Sequence, residues 1–160
     1  MFSEIKKISS LLLSVAFSSI GFIASITVTV LAAREVSSNP LFVGFPNAVG
    51  VGGAVLGTRM IYLISKTNSQ LNALAFTFLI GAFGGAIMFY SLIIDSFLLL
   101  LLGAFILGIG QSATLQTRYA ASFVAGTKFK ATALSLAVWF SVFGSVFGPR
   151  MVGSLSLIHI

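Results

Sequence analysis

The chain has 160 residues, of which 58% are hydrophobic and only 8% charged, and its mean hydropathy is +1.10. Ordinary globular chains carry about 25% charged residues, so the polar shell of a soluble domain is missing and the chain is integral to a membrane. The net charge of +6 comes from nine Lys and Arg scattered between apolar runs, which argues against nucleic acid as a partner, and the absence of cysteine excludes disulfides and thiolate metal sites.

A short head, residues 1–10 (MFSEIKKISS), precedes an uncharged run at 11–33. Its 23 residues reach about 35 Å as a helix, enough to cross a bilayer core, and are too long for the apolar part of a secretory signal. The loop REVSSNP follows, and a second span is predicted over about 42–64, interrupted by Pro46, Asn47 and Arg59. After SKTNSQ a third span covers about 71–94, and Asp95 with Ser96 makes a turn so short that the fourth span, about 97–117, is its antiparallel neighbour. Arg118 closes that span and opens a basic loop with Lys128 and Lys130, before a fifth span over about 131–152.

Short cytoplasmic loops are enriched in Lys and Arg. With the N-terminus inside, Lys6, Lys7, Arg59, Lys66, Arg118, Lys128 and Lys130 fall on the inner side against Arg34 and Arg150 outside, seven to two. The expected orientation is therefore a cytoplasmic N-terminus.

Lipid tails are as apolar as Leu, so helices in a bilayer associate by close approach at small residues. Gly53 and Gly57 form a GxxxG pair in the second span and Gly144 and Gly148 another in the fifth, with Gly81, Gly84 and Gly85 in the third and Gly103, Gly108 and Gly110 in the fourth. Tight helix contact is the expected role of most of them. Ser14, Ser18, Gly21, Ser25 and Thr29 recur at steps of three and four along the first span, which makes either a packing seam or the wall of a polar cavity.

GIGQSA at 108–113 has the spacing of a dinucleotide fingerprint but lies inside an apolar span, where no strand-to-helix turn exists to use it. AGTKFK lacks the spacing of a phosphate-binding loop, no carboxylate, His or Cys cluster offers a metal site, and the one histidine is His159. Neither catalysis nor a cofactor is expected.

The most specific signal is GSVFGPRMVG, in which Gly144, Gly148, Pro149 and Gly153 make the pattern GxxxGPxxxG. Pro149 removes a backbone donor and kinks the helix, and the glycines let a neighbour approach at the bend. Together with RYAASFVAGTKFK before it, this stretch resembles the fourth-helix end, cytoplasmic loop and fifth helix of the major facilitator superfamily of secondary transporters. The resemblance is specific over 103–153 and topological before that. It departs from the family where the loop pattern GxLADRxGRR, aligned on Gly57, gives GTRMIYLISK. Gly57 and Lys66 survive, but Ile61 stands at the acidic position, Tyr62 at the next basic one and Ile64 at the second glycine. Ala104 likewise replaces the arginine of RxxxGxG, although Gly108 and Gly110 remain.

The resemblance implies an all-α polytopic bundle, five spans of a fold whose two six-helix halves rock about a central site, with spans one, two, four and five lining the cavity. Residues 11–153 would then be part of one half, and a sixth helix and a C-terminal half are expected in the full-length protein. It further implies a transporter of an unidentified small solute, an exporter on the strength of the Gly-Pro motif, in a bacterial inner membrane. No span carries an acid for proton coupling, so a coupling carboxylate would come from the missing part.

Candidate cavity or substrate contacts are Arg150, Gln111, Asn47, Ser18 and Ser25, with Gln116 beside them. Intramembrane polar groups default to functional candidates, yet Arg150 can instead snorkel to headgroups, Asn47 can cap backbone freed by Pro46, and Gln111 can equally serve as interhelical glue. Having lost both partners of the family's acid-to-arginine latch, the chain would close its inner gate with Lys66, Arg118 and helix-end carbonyls, with Gly57, Lys128 and Lys130 on the same cytoplasmic side. The rival readings are a small complete membrane protein acting as a structural or accessory subunit, and a channel-like oligomer. Residues 154–160 (SLSLIHI) are expected to be a non-native tail, because LSLIHI is what CTG TCT CTT ATA CAC ATC encodes, a transposon end used in preparing DNA libraries.

Overall fold

The computed structural model describes residues 2–37, 40–125, 130–143 and 146, with side chains from Leu13 onward apart from Pro40 and Val124. Gly144, Gly148, Pro149, Arg150 and Gly153 of the fifth-span motif, Lys128, and the tail 154–160 lie outside the described residues. The elements are α1 (Phe2–Val36), a 3-10 turn (Pro40–Phe42), α2 (Phe45–Thr67), α3 (Gln70–Ile93) and α4 (Phe97–Val124), followed by α5 (Lys130–Phe143). The fold is all-helical as expected, and α1 to α4 are long and apolar enough to cross a bilayer.

Several helix ends differ from the sequence expectation, each for a physical reason. Helix α1 already begins at Phe2 and α4 runs on to Val124, past Arg118. A charge marks where a helix leaves hydrocarbon; it does not stop backbone hydrogen bonding, and neither segment contains the Gly or Pro that would. Pro46 does not interrupt α2 but sits in its first turn behind the N-cap Gly44, where a missing N–H is an orphan in any case. Ser69 starts α3 by accepting from the Asn72 N–H at 3.3 Å.

The α3–α4 turn is as tight as Asp95-Ser96 predicts. Ile94 is the C-cap, Asp95 follows in the left-handed region at φ 51°, and the Ser96 N–H reaches back to the Ser91 carbonyl at 3.0 Å. That is the long bond of a Schellman motif, closed here by an aspartate where glycine is usual. Phe42 meets Phe97 edge-on at 6.0 Å, which ties the α1–α2 connection to the start of α4.

The chain divides into two compact units, a central one over Val28–Ala113 and a flanking one built from the residues up to Thr27 and from Thr114. In the central unit α4 is the hub. Against α3 it runs antiparallel, Gly110 meeting Gly81, Leu107 meeting Gly84 and Gly103 meeting Met88. A Cβ on Gly81 would lie 2.7 Å from the Gly110 Cα, so neither helix could carry a side chain at that crossing. Against α2 it runs parallel, with Gly50, Gly53 and Gly57 set on Ala104, Phe105 and Ile109 in that order. Ala32, Ala33, Met88, Leu100 and Ala104 form the core beside these contacts.

In the flanking unit the buried positions are Val15 and Ser19 of α1, Thr114, Thr117, Ala120, Ala121 and Ser122 of α4, and Ala133 and Ala137 of α5. Large apolar side chains point outward instead: Phe17 is 72% and Phe123 75% exposed, an arrangement water would penalise and lipid does not. Trp139 is among these exposed residues.

Candidate functional site

The expected hydroxyl stripe on α1 does not coincide with the buried one. Ser14 is exposed and Ser18 and Ser25 are half-buried, while a Cβ on Gly21 would meet nothing within 4 Å. The helix buries Val15, Ser19, Thr29, Ala32 and Ala33, a face that shares only Thr29 with the predicted stripe. Ser18 donates to the Val15 carbonyl at 3.2 Å and Ser25 to the Phe22 carbonyl at 2.7 Å, so both hydroxyls are at least partly satisfied by their own helix. Thr29, in the central unit, donates to the Met88 sulfur at 3.9 Å.

The residue sequence reasoning missed is Ser19. It is 2% exposed and its Oγ has no hydrogen-bond partner among the described residues. Ser18 and Ser19 are adjacent hydroxyls; steps of three and four from Ser18 reach Ser14 and Gly21, whereas those from Ser19 reach Val15 and Phe22, so the period of small residues selects Ser18 and only the apolar Val15 points to Ser19. Among the described residues, the other buried polar atom in this condition is the Nε of Arg118, also in the flanking unit. Arg118 is half-buried on α4, between Thr117 at 1% and Ala120 at 1% exposure. Lys130, at the start of α5, holds its Nζ 5.5 Å from the Phe123 ring centroid.

In the central unit Asn47 lies in the first turn of α2, half-buried, and that turn has no side-chain cap. Gln111 is half-buried on α4, flanked by the fully packed Gly110 and Ser112; Gln116, further along α4, belongs to the flanking unit and is also half-buried. Gly57 lies inside α2 and presses on the backbone of Ile109 and the hydroxyl of Ser112. The following residues continue the helix to Thr67, so the stretch 57–66 that aligns with the family's loop is helical here. Ile61, at the family's acidic position, is 1% exposed and among the largest fully buried side chains; a carboxylate there would need a buried partner. Lys66 stands in the last turn of α2 with its Nζ 4.6 Å from the Tyr62 ring. Gly108 and Gly110, the glycines of the false dinucleotide motif, face Gly50 of α2 and Gly81 of α3. No group of His, Asp or Glu able to hold a metal occurs among the described residues.

Long apolar helices joined through glycine, with apolar faces turned outward and no fully buried charged residue among the described ones, define a polytopic integral membrane protein. Its relatives name the class. The chain is 32% identical over 140 residues to the uncharacterized MFS-type transporter YdeG of Bacillus subtilis (strain 168), a match covering 88% of this chain and 33% of that protein. It is 32% identical over 150 residues to the uncharacterized MFS-type transporter YddS of the same organism, covering 94% of this chain and 34% of that protein. The chain belongs to the major facilitator superfamily, and it spans about a third of the length of the curated relatives it matches. No protein-family model matches it, and no solved structure does.

Proposed function

We propose that this chain is the N-terminal part of a secondary active transporter that moves a small solute across a bacterial inner membrane by alternating access, as an exporter, with its N-terminus in the cytoplasm. The single observation that carries the reading is the similarity to two MFS-type transporters along nearly the whole chain. The glycine-packed helices support it, because rigid helix groups are what rocking requires. The protein is a carrier and not an enzyme.

Substrate contact falls to Gln111, Asn47, Ser18, Ser25 and Arg150, and the inner gate to Arg118 and Lys66. The exposed Lys66 and the partly buried Arg118 supply positive charge on α2 and α4, and helix-end carbonyls are the complementary acceptors. The remaining helices and a carboxylate for proton coupling belong to the rest of the full-length protein.

Two measurements test this. An independently cloned chromosomal copy should continue in frame beyond Ser154 into a sixth span and a second six-span half, whereas a stop codon directly after Ile160 would favour an accessory subunit or channel-like oligomer. In the full-length carrier, Arg118→Ala with Lys66→Ala should change the transport rate and lower stability. Parental rate and stability in that double variant would remove both residues from the gate.

A further inference from the structure

Helix α1 is longer than a bilayer needs. Its 35 residues, Phe2–Val36, rise about 52 Å, against a hydrocarbon core of about 30 Å. The uncharged run 11–33 accounts for the crossing, and Arg34 and Glu35 follow it at once, so the surplus falls at the other end, in residues 2–10. That segment is helical too, and it holds Glu4, Lys6 and Lys7 where the run after it holds no charge at all.

Its pattern is amphipathic. Phe2, Ile5, Ile8 and Leu12 recur at steps of three, three and four, which sets these positions on one side of the helix; at about 100° per residue, positions 6 and 7, both lysine, straddle the opposite side. Ser9 and Ser10 stand where the segment meets the uncharged run, and a serine pair is a place where a continuous helix bends.

We propose that residues 2–10 lie along the bilayer surface as an amphipathic helix that binds a leaflet of anionic phospholipid. Positions 2, 5 and 8 enter the boundary between headgroups and acyl chains, and the lysines at 6 and 7 stay on the water side, inside the negative potential of the leaflet. Glu4 offsets one of the two lysines, so the head keeps one net positive charge. Continuity with the span selects the lipid surface as occupant: nine residues at about 1.5 Å each keep the whole segment within about 14 Å of the hydrocarbon, so its apolar side always has the leaflet in reach, whereas any other cover has to be brought to it. Binding of the head to lipid is independent of whether the full-length protein transports.

The chain contains no cysteine, so single nitroxide labels report the arrangement directly. Ile5→Cys and Ile8→Cys probe the apolar side, and Ser3→Cys and Ser10→Cys the polar one, in the full chain reconstituted into vesicles. With phosphatidylglycerol present, the ratio of oxygen to nickel-chelate collisions should be about fivefold higher at 5 and 8 than at 3 and 10, the weight of one net charge at an anionic surface. In phosphatidylcholine alone the contrast should shrink, and Lys6→Gln with Lys7→Gln should shrink it in phosphatidylglycerol, while circular dichroism confirms that each variant keeps its helix. Equal ratios at all four positions would leave the head upright in water and overturn the proposal. The same contrast in both lipids would overturn the anionic preference, and labels at 5 and 8 shielded from oxygen and nickel alike would overturn lipid contact by showing that protein covers this side.

Discussion

The central and flanking units solve the same problem with different residues. In Val28–Ala113 the helices touch through glycine, backbone against backbone, and the buried hydroxyls of Thr77, Ser91 and Ser112 donate to carbonyls of their own helices at 2.7, 2.6 and 2.6 Å. The flanking unit buries alanine, serine and threonine instead, and the two buried polar side-chain atoms without a partner among the described residues, Ser19 Oγ and Arg118 Nε, belong to it. Glycine contacts leave no room for adjustment and suit a part that moves as one body. In the flanking unit Ser122 is satisfied in the same way, by the Tyr119 carbonyl, so the difference between the units lies in Ser19 and Arg118, whose unmet groups cost stability.

The comparison is broken most directly at its glycines. A Cβ on Gly53 would run into the Phe105 carbonyl and lie 2.9 Å from that carbonyl carbon; backbone cannot swing aside as a side chain does. Gly53→Leu should therefore destabilise the chain by about 3 kcal/mol or more, the upper end for overpacking. Gly21→Leu, where the added Cβ meets nothing, should leave stability unchanged or raise it by about 0.5–1 kcal/mol through helix propensity. Thermal melts of both variants in detergent, followed by size exclusion, provide the readout. Equal melting temperatures would mean that α2 and α4 do not pack through Gly53.

A smaller effect is expected at the turn that sets α3 against α4. Asp95 adopts φ 51°, so Asp95→Val should lower stability by about 1–2 kcal/mol, the cost of a branched side chain in the left-handed region. Asp95→Gly should match or exceed the parent in the same melts. If valine is tolerated as well as glycine, the Schellman closure at Ser91 and Ser96 is not what holds the turn.

Much of this was legible in the sequence because a bilayer demands uninterrupted apolar helices, and those are visible as runs. The glycines at 53, 57, 81, 84, 108 and 110 were readable as contacts because a bilayer rewards close approach above all else. What escaped is rotational. Adjacent Ser18 and Ser19 differ by a 100° turn of the helix, and the small-residue steps run through Ser18, so the stripe from Ser14 to Ser25 does not mark the face that buries Val15 and Ser19. Helix ends escaped too, since Arg118 ends an apolar run without ending α4. For the candidate site the limit is chemical: Asn47, Gln111, Ser18 and Ser25 were found by being polar within spans, and polarity alone does not separate a solute contact from a hydroxyl bonded to its own helix.

The smallest effect is the most informative about the flanking unit. A buried hydroxyl with no partner costs roughly 1–3 kcal/mol of desolvation, and at Ser19 nothing among the described residues returns it. Ser19→Ala deletes that atom while keeping the small volume that lets α1 pack, so it should stabilise the chain by about 1 kcal/mol. Ser122→Ala is the control, because the Ser122 hydroxyl donates to the Tyr119 carbonyl at 2.7 Å, and its removal should be neutral or mildly destabilising. Denaturation by sodium dodecyl sulfate, read by circular dichroism, resolves differences of this size. A gain at Ser19 alone would mean that the flanking unit keeps a destabilising hydroxyl. Equal responses at the two serines would mean that Ser19 finds a partner within this chain, and the contrast between the units would then rest on Arg118.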